Sequence, residues 1–124
     1  MKDIEDRDDI LLIMRSFYDK LLSDRSISYL FTDVVKINLE EHFPVLVDFW
    51  DGILFGTGVY RKNAMQPHID LAHKSPLTKE HFVTWLSYLY ESIDDSHYEG
   101  INAHTMKARA QNIASLMEHK VAAK

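Results

Sequence analysis

The chain has 124 residues, fourteen Lys and Arg against nineteen Asp and Glu, and no cysteine. Without cysteine there are no disulfides, thiolate metal sites or cysteine nucleophiles, and a net charge of −5 with no basic run is a poor match for a nucleic-acid backbone. One domain over residues 1–124 is expected, in a reducing cytoplasm, with no signal peptide at the acidic start and no membrane span.

Four Gly and three Pro leave few turns, which predicts an all-α chain of few, long elements. With residues set 100° apart, the stretch from Asp9 to Ser23 places Leu11, Met14, Tyr18, Leu21 and Leu22 on one side. Ser16 and Lys20 lie opposite. A second helix is expected from Glu40 to Phe55, with Val45, Leu46, Phe49, Trp50 and Ile53 on its apolar face and Asp48 and Asp51 behind. Gly56 and Gly58 end it. Pro44 removes a backbone donor near its start, which predicts a loose first turn and a mobile His42.

Residues 63–82 hold three of the seven histidines, His68, His73 and His81. On a helical plot Ala64, Met65, Leu71 and Ala72 fall around His68, whereas Gln66, Asp70 and His73 fall opposite. Pro67 suits a first helical turn, so a short helix is expected to open near His68 and to turn its imidazole inward. Taken alone, His68 reads as a core histidine bonded to a backbone carbonyl sooner than as a ligand.

Thr78 is the expected N-cap of the next helix, which groups Phe82, Trp85, Tyr88, Leu89 and Ile93 against Glu80, Ser87 and Glu91. A last helix from Asn102 to Val121 aligns Met106, Ala110, Ile113, Ala114 and Met117. Tyr18, His42, His68 and Trp85 thus each bring a polar group to an apolar face. Each is also an ordinary amphipathic filler taken singly. Together they suit a helical cavity holding haem and a diatomic ligand.

The segments "SFYDK", "EEHFPVLVDFWDGILFGTGVYRKNAMQPHIDL", "PLTKEHFVTWL" and "KARAQNIASLM" resemble the group III truncated haemoglobins in the right order over nearly the whole chain. The specific marks are the seven residues between His42 and Trp50, "LFGTGVY" from Leu54 to Tyr60, the eighteen-residue step from Trp50 to His68, and "EHFVTWL" from Glu80 to Leu86. The resemblance implies a two-over-two helical sandwich around haem b (iron protoporphyrin IX). It implies His68 as the proximal iron ligand, with the iron otherwise five-coordinate. Tyr18 is then the distal hydrogen-bond donor, His42 the distal histidine and Trp85 the pocket indole. Phe31 packs on the porphyrin, Leu46 and Phe49 line the distal wall, and Met65 and Phe82 the proximal region. Tyr60, Arg61 and Lys62 are implied as propionate partners. The chain departs from the family in having Lys62-Asn63-Ala64-Met65 where Gly-Asn-Pro-Met is usual, which predicts a later start to the proximal helix.

Three classes of function stand at this point. The first is a haem protein for oxygen, nitric oxide or carbon monoxide, in which oxygen transport, nitric-oxide detoxification and peroxidase-like turnover with a reductase partner are not separated. The second is a non-haem metal site or a hydrolase using His42, His68, His73 and His81. Against it, the chain has Asp70-x-x-His73 and Asp94-x-x-His97 but no Glu-x-x-His pair of the kind di-iron bundles use. The third is a helical interaction module.

Overall fold

A computed structural model describes residues 2–58 and 65–122, apart from the side chains of Met65, Gln66 and Ala122. Its described elements are α1 (Arg7–Leu22), α2 (Arg25–Tyr29), a π-helical turn (Leu30–Val34), α3 (Leu39–Phe55), α4 (Met65–Lys74), α5 (Lys79–Asp95) and α6 (Ile101–Ala122). Helices α1 and α3 pack on each other and form one layer, and α5 and α6 form the other. The layers meet chiefly where α1 crosses α5, with α3 also reaching α6. This is the expected two-over-two sandwich. No described helix is long and apolar enough to cross a membrane.

Local chemistry explains each start. Asp6 caps α1 by accepting from the Asp9 amide, and Asp8 and Asp9 sit in the first turn where the helix dipole favours negative charge. The buried face of α1 is wider than the stripe expected from the sequence. Ile10, Ile13 and Phe17 are buried beside Met14, Tyr18 and Leu21, because both α3 and α5 cover this helix. Leu11 and Leu22 lie at its edges, half-buried.

Helix α3 corrects two expectations. Asn38 caps it through the Glu41 amide, and the His42 amide donates to the Asn38 carbonyl at 3.0 Å, so the turn before Pro44 is formed. Asp51 lies not on a solvated face but 5 % exposed, held by Arg7 Nη1 at 3.0 Å and the Thr57 hydroxyl at 2.9 Å. A buried carboxylate is tolerated because it is paired and hydrogen-bonded. Gly56 ends α3 in the left-handed region at φ +67, as its position after Phe55 predicts.

The described part of α4 runs from Met65, so the helix is already formed upstream of His68, where the sequence placed its start, and Pro67 lies within it. The start of α5 is as expected: Thr78 accepts from the His81 amide and His81 Nδ1 accepts from the Thr78 amide, a reciprocal capping box.

The N-terminal arm is sewn to the α5–α6 junction. Asp3 caps α6 from a distance, accepting from the Asn102 and Ala103 amides at 2.9 Å each. Gly100, at φ +142, lies against it, and a Cβ there would meet Asp3 Cγ at 2.6 Å. Gly100→Ala is accordingly expected to destabilise by about 1–3 kcal/mol in urea unfolding, since Asp3 cannot retreat without giving up the cap.

Asp9 is buried near the same place. Burial alone would raise its pKa, but the Tyr98 hydroxyl at 2.6 Å, the Glu5 amide at 2.8 Å and the Lys2 ammonium at 3.1 Å outweigh it and hold the carboxyl below its ordinary value. Asp3 is lowered likewise, burial being outweighed by the α6 amides. The folded state thus prefers both groups ionised. Their contribution is complete above the ordinary value of 3.8 and is lost as pH falls through the lower folded values. Urea midpoints are expected to drop below about pH 4, and to drop less steeply in Asp9→Asn, which starts from a lower stability at neutral pH.

Candidate functional site

Tyr18 is the centre of the site. It lies on the buried face of α1, 5 % exposed, and its ring is met edge-on by Phe17, Phe31, His42 and Phe43 with centroids 5.3–5.9 Å away. Its hydroxyl is 3.0 Å from His42 Nε2. Burial pushes the phenol well above its ordinary value of 10, so the O–H persists throughout the physiological range. His42 is not loosely held, as its nearness to Pro44 suggested: a formed backbone turn and the Tyr18 hydroxyl both fix it. The ring proton of His42 decides which group donates. With hydrogen on Nε2, the imidazole donates to Tyr18 Oη and the phenolic proton is available elsewhere.

From His42 a line runs down α3 through Leu46, Phe49 and Ile53, all half-buried. The adjacent line, Phe43, Val47 and Trp50, is buried in protein. Two apolar lines on one helix, one enclosed and one half-open, are what a helix shows when it packs on protein along one side and on a flat apolar group along the other. Trp85 of α5 and Phe31 of the π turn are half-buried as well, and Trp85 meets Phe17 edge-on at 5.7 Å.

Helix α4 packs mainly on α6. His68, Ile69, Leu71 and Ala72 form its half-buried side, and Pro67, Asp70, His73 and Lys74 its exposed side. The expected division between His68 and His73 therefore holds. Phe82 is buried with Ala114, Met117 and Val121, with Ala72 at the edge of the cluster. Tyr60, Arg61 and Lys62 lie outside the described residues, as does the side chain of Met65.

His81 has a different occupation from the one a metal cluster would need. Its Nδ1 accepts in the capping box, so its proton sits on Nε2, which donates to the Tyr29 hydroxyl at 3.2 Å. Among the described residues no three His, Asp or Glu side chains come together as a metal-ligand set.

Sequence reasoning missed Phe17 and Phe43, which enclose Tyr18, and it missed α2 with its π turn, which brings Phe31 to the Tyr18 ring. Asp24 was the available signal for α2. It accepts from the Ser26 amide at 2.9 Å and is a good N-cap residue.

The fold and this arrangement of residues define a globin, and comparison with known proteins agrees. The model of the bacterial-like globin family matches residues 4–120, and the chain belongs to that family. It is 30 % identical over 112 residues to the group 3 truncated haemoglobin ctb of Campylobacter jejuni, covering 88 % of this chain and 85 % of that protein. It is also similar to the crystal structure of a group III truncated haemoglobin from Campylobacter jejuni, with a TM-score of 0.84 and 27 % identity over 98 % of this chain and 95 % of the other.

As a globin the chain takes haem, and binding of gaseous ligands is its general role. The residues present fit that group. A half-buried imidazole on α4, a half-open apolar line on α3 and a buried phenol O–H beside an imidazole are the kinds of group that would serve a haem as nitrogen ligand, apolar cover and polar contact.

Proposed function

We propose that this protein binds a diatomic ligand at a haem whose iron is held by His68, with Tyr18, His42 and Trp85 on the distal side. The observation that carries this reading is the line from His42 to Ile53, half-open and apolar, headed by an imidazole already bonded to a buried phenol. Haem supplies the iron and its redox chemistry, and the protein supplies ligation, polarity and access.

In this reading His68 presents a neutral ring nitrogen, and its other ring N–H takes an acceptor that fixes the tautomer. His42 is a contact to Tyr18 rather than an axial ligand, because its Nε2 is already engaged. His68 would then be the protein's ligand to the iron, with no second one from His42. Leu46, Phe49 and Phe31 would cover the distal face of the haem and Phe82 its proximal one. With hydrogen on His42 Nε2, the Tyr18 O–H is left to donate to a ligand carrying partial negative charge, in surroundings that strengthen such a bond.

The absorption spectrum of the purified, haem-loaded protein tests the reading. A sharp Soret band with a five-coordinate ferrous form supports it. A low-spin ferrous spectrum that vanishes in His42→Ala would show that the imidazole abandons Tyr18 for the iron, and would refute the distal assignment.

A further inference from the structure

Helix α2 has five residues, too few to persist alone, yet the turn that follows it delivers Phe31 to the Tyr18 ring at 5.6 Å. Helix α5 grips α2 at both ends. At the N-cap, Tyr88 Oη donates to Asp24 Oδ2 at 2.6 Å. That contact holds the Asp24 carboxyl below its ordinary value and the Tyr88 phenol above its own. At the last residue, Tyr29 Oη accepts from His81 Nε2 at 3.2 Å. His81 and Tyr88 are seven residues apart on α5, two turns along one face, and Trp85 lies between them on that face.

The two ties therefore bracket the indole, on the helix it shares with them, and clamp the segment that carries Phe31. We propose that Tyr29, His81, Asp24 and Tyr88 are positioning residues that set the spacing between Trp85 and the Phe31–Tyr18 wall of the distal pocket. This rests on the distal reading of Tyr18 and Trp85 given above. The capping box makes the inner tie directional. Because Nδ1 is committed to the Thr78 amide, the imidazole can meet Tyr29 only as a donor through Nε2, with its ring plane fixed by the start of α5. Without the ties, Ile27 of α2 and Leu30 of the π turn stay as buried anchors, so the segment remains attached but gains freedom to shift along α5.

The double variant Tyr29→Phe/Tyr88→Phe removes both ties and leaves the capping box and the Asp24 cap on Ser26 intact. Two measurements on the haem-loaded protein test the proposal. Amide exchange of residues 25–34 should speed up by about tenfold or more while the rest of the helices keep their protection. The infrared C–O stretching band of the ferrous protein under carbon monoxide should broaden or split, since that band reads the polarity around the distal ligand. Tyr18→Phe serves as the reference for the size of that shift.

Faster exchange with an unchanged C–O band would make the ties purely structural and overturn the proposal, and unchanged exchange would overturn it as well. A band that moves in neither the double variant nor Tyr18→Phe would bring down the distal reading itself. Should the double variant fail to fold, Tyr29→Phe alone keeps the Asp24–Tyr88 tie and is read the same way, with a smaller shift expected.

Discussion

His68→Ala is expected to abolish stable haem retention, whereas His73→Ala should leave haem content and the ferrous carbon-monoxide spectrum close to those of the unchanged protein. Both residues lie on α4, five positions apart, and differ in the side of the helix they occupy. His68 shares the half-buried side with Ile69, Leu71 and Ala72, and His73 is exposed beside Asp70 and Lys74. Loss of a partner hydrogen-bonded to a metal ligand already weakens metal affinity by about ten- to a hundredfold, so loss of the ligand itself should exceed that. Gel filtration of the haem-loaded variants followed by haem quantitation decides it. Haem lost from His73→Ala and kept by His68→Ala would reverse the assignment. The fold should survive in both, because neither imidazole belongs to the enclosed core.

How much of this was legible beforehand depends on whether a residue's signal is local. The long helices were legible because their apolar periodicity repeats over several turns, and Thr78 and Gly56 were legible because caps have residue preferences. The face of His68 was legible for the same reason. Helix α2 was not, since five residues offer barely one period, and its side-chain ties to α5 come from Tyr88 and His81, sixty-four and fifty-two positions away from their partners. Asp51 was misplaced because periodicity counts a carboxylate as solvated. The position of Arg7, on another helix, shows that it is paired. The looseness assigned to His42 failed similarly. Pro44 predicts a lost backbone bond, but the Asn38 cap and the Tyr18 hydroxyl restore order from outside the helix. The Tyr18–His42 contact itself joins residues twenty-four apart and has no local signature at all.

Tyr18→Phe is expected to speed oxygen release more than any other distal substitution, by about one to two decades if the hydroxyl bond is worth about 1.5–3 kcal/mol. The phenol is enclosed by four rings, so little conformational freedom remains for it to lose on meeting a ligand. Phenylalanine keeps those ring contacts and removes only the O–H, which makes the comparison a clean one. Trp85→Phe should come second, because the indole N–H is a donor only and Trp85 is half-buried rather than enclosed. His42→Leu should have the smallest effect, since its 3.0 Å contact acts on the ligand through Tyr18. Its sign carries information of its own. Faster release means that His42 Nε2–H donates to Tyr18 and turns the phenolic proton toward the ligand. Slower release means that His42 was taking that proton, and that its removal frees the phenol. Stopped-flow oxygen dissociation on the three variants measures all of this. A Tyr18→Phe rate within about twofold of the unchanged protein, alongside a tenfold change in His42→Leu, would move the dominant donor from the phenol to the imidazole.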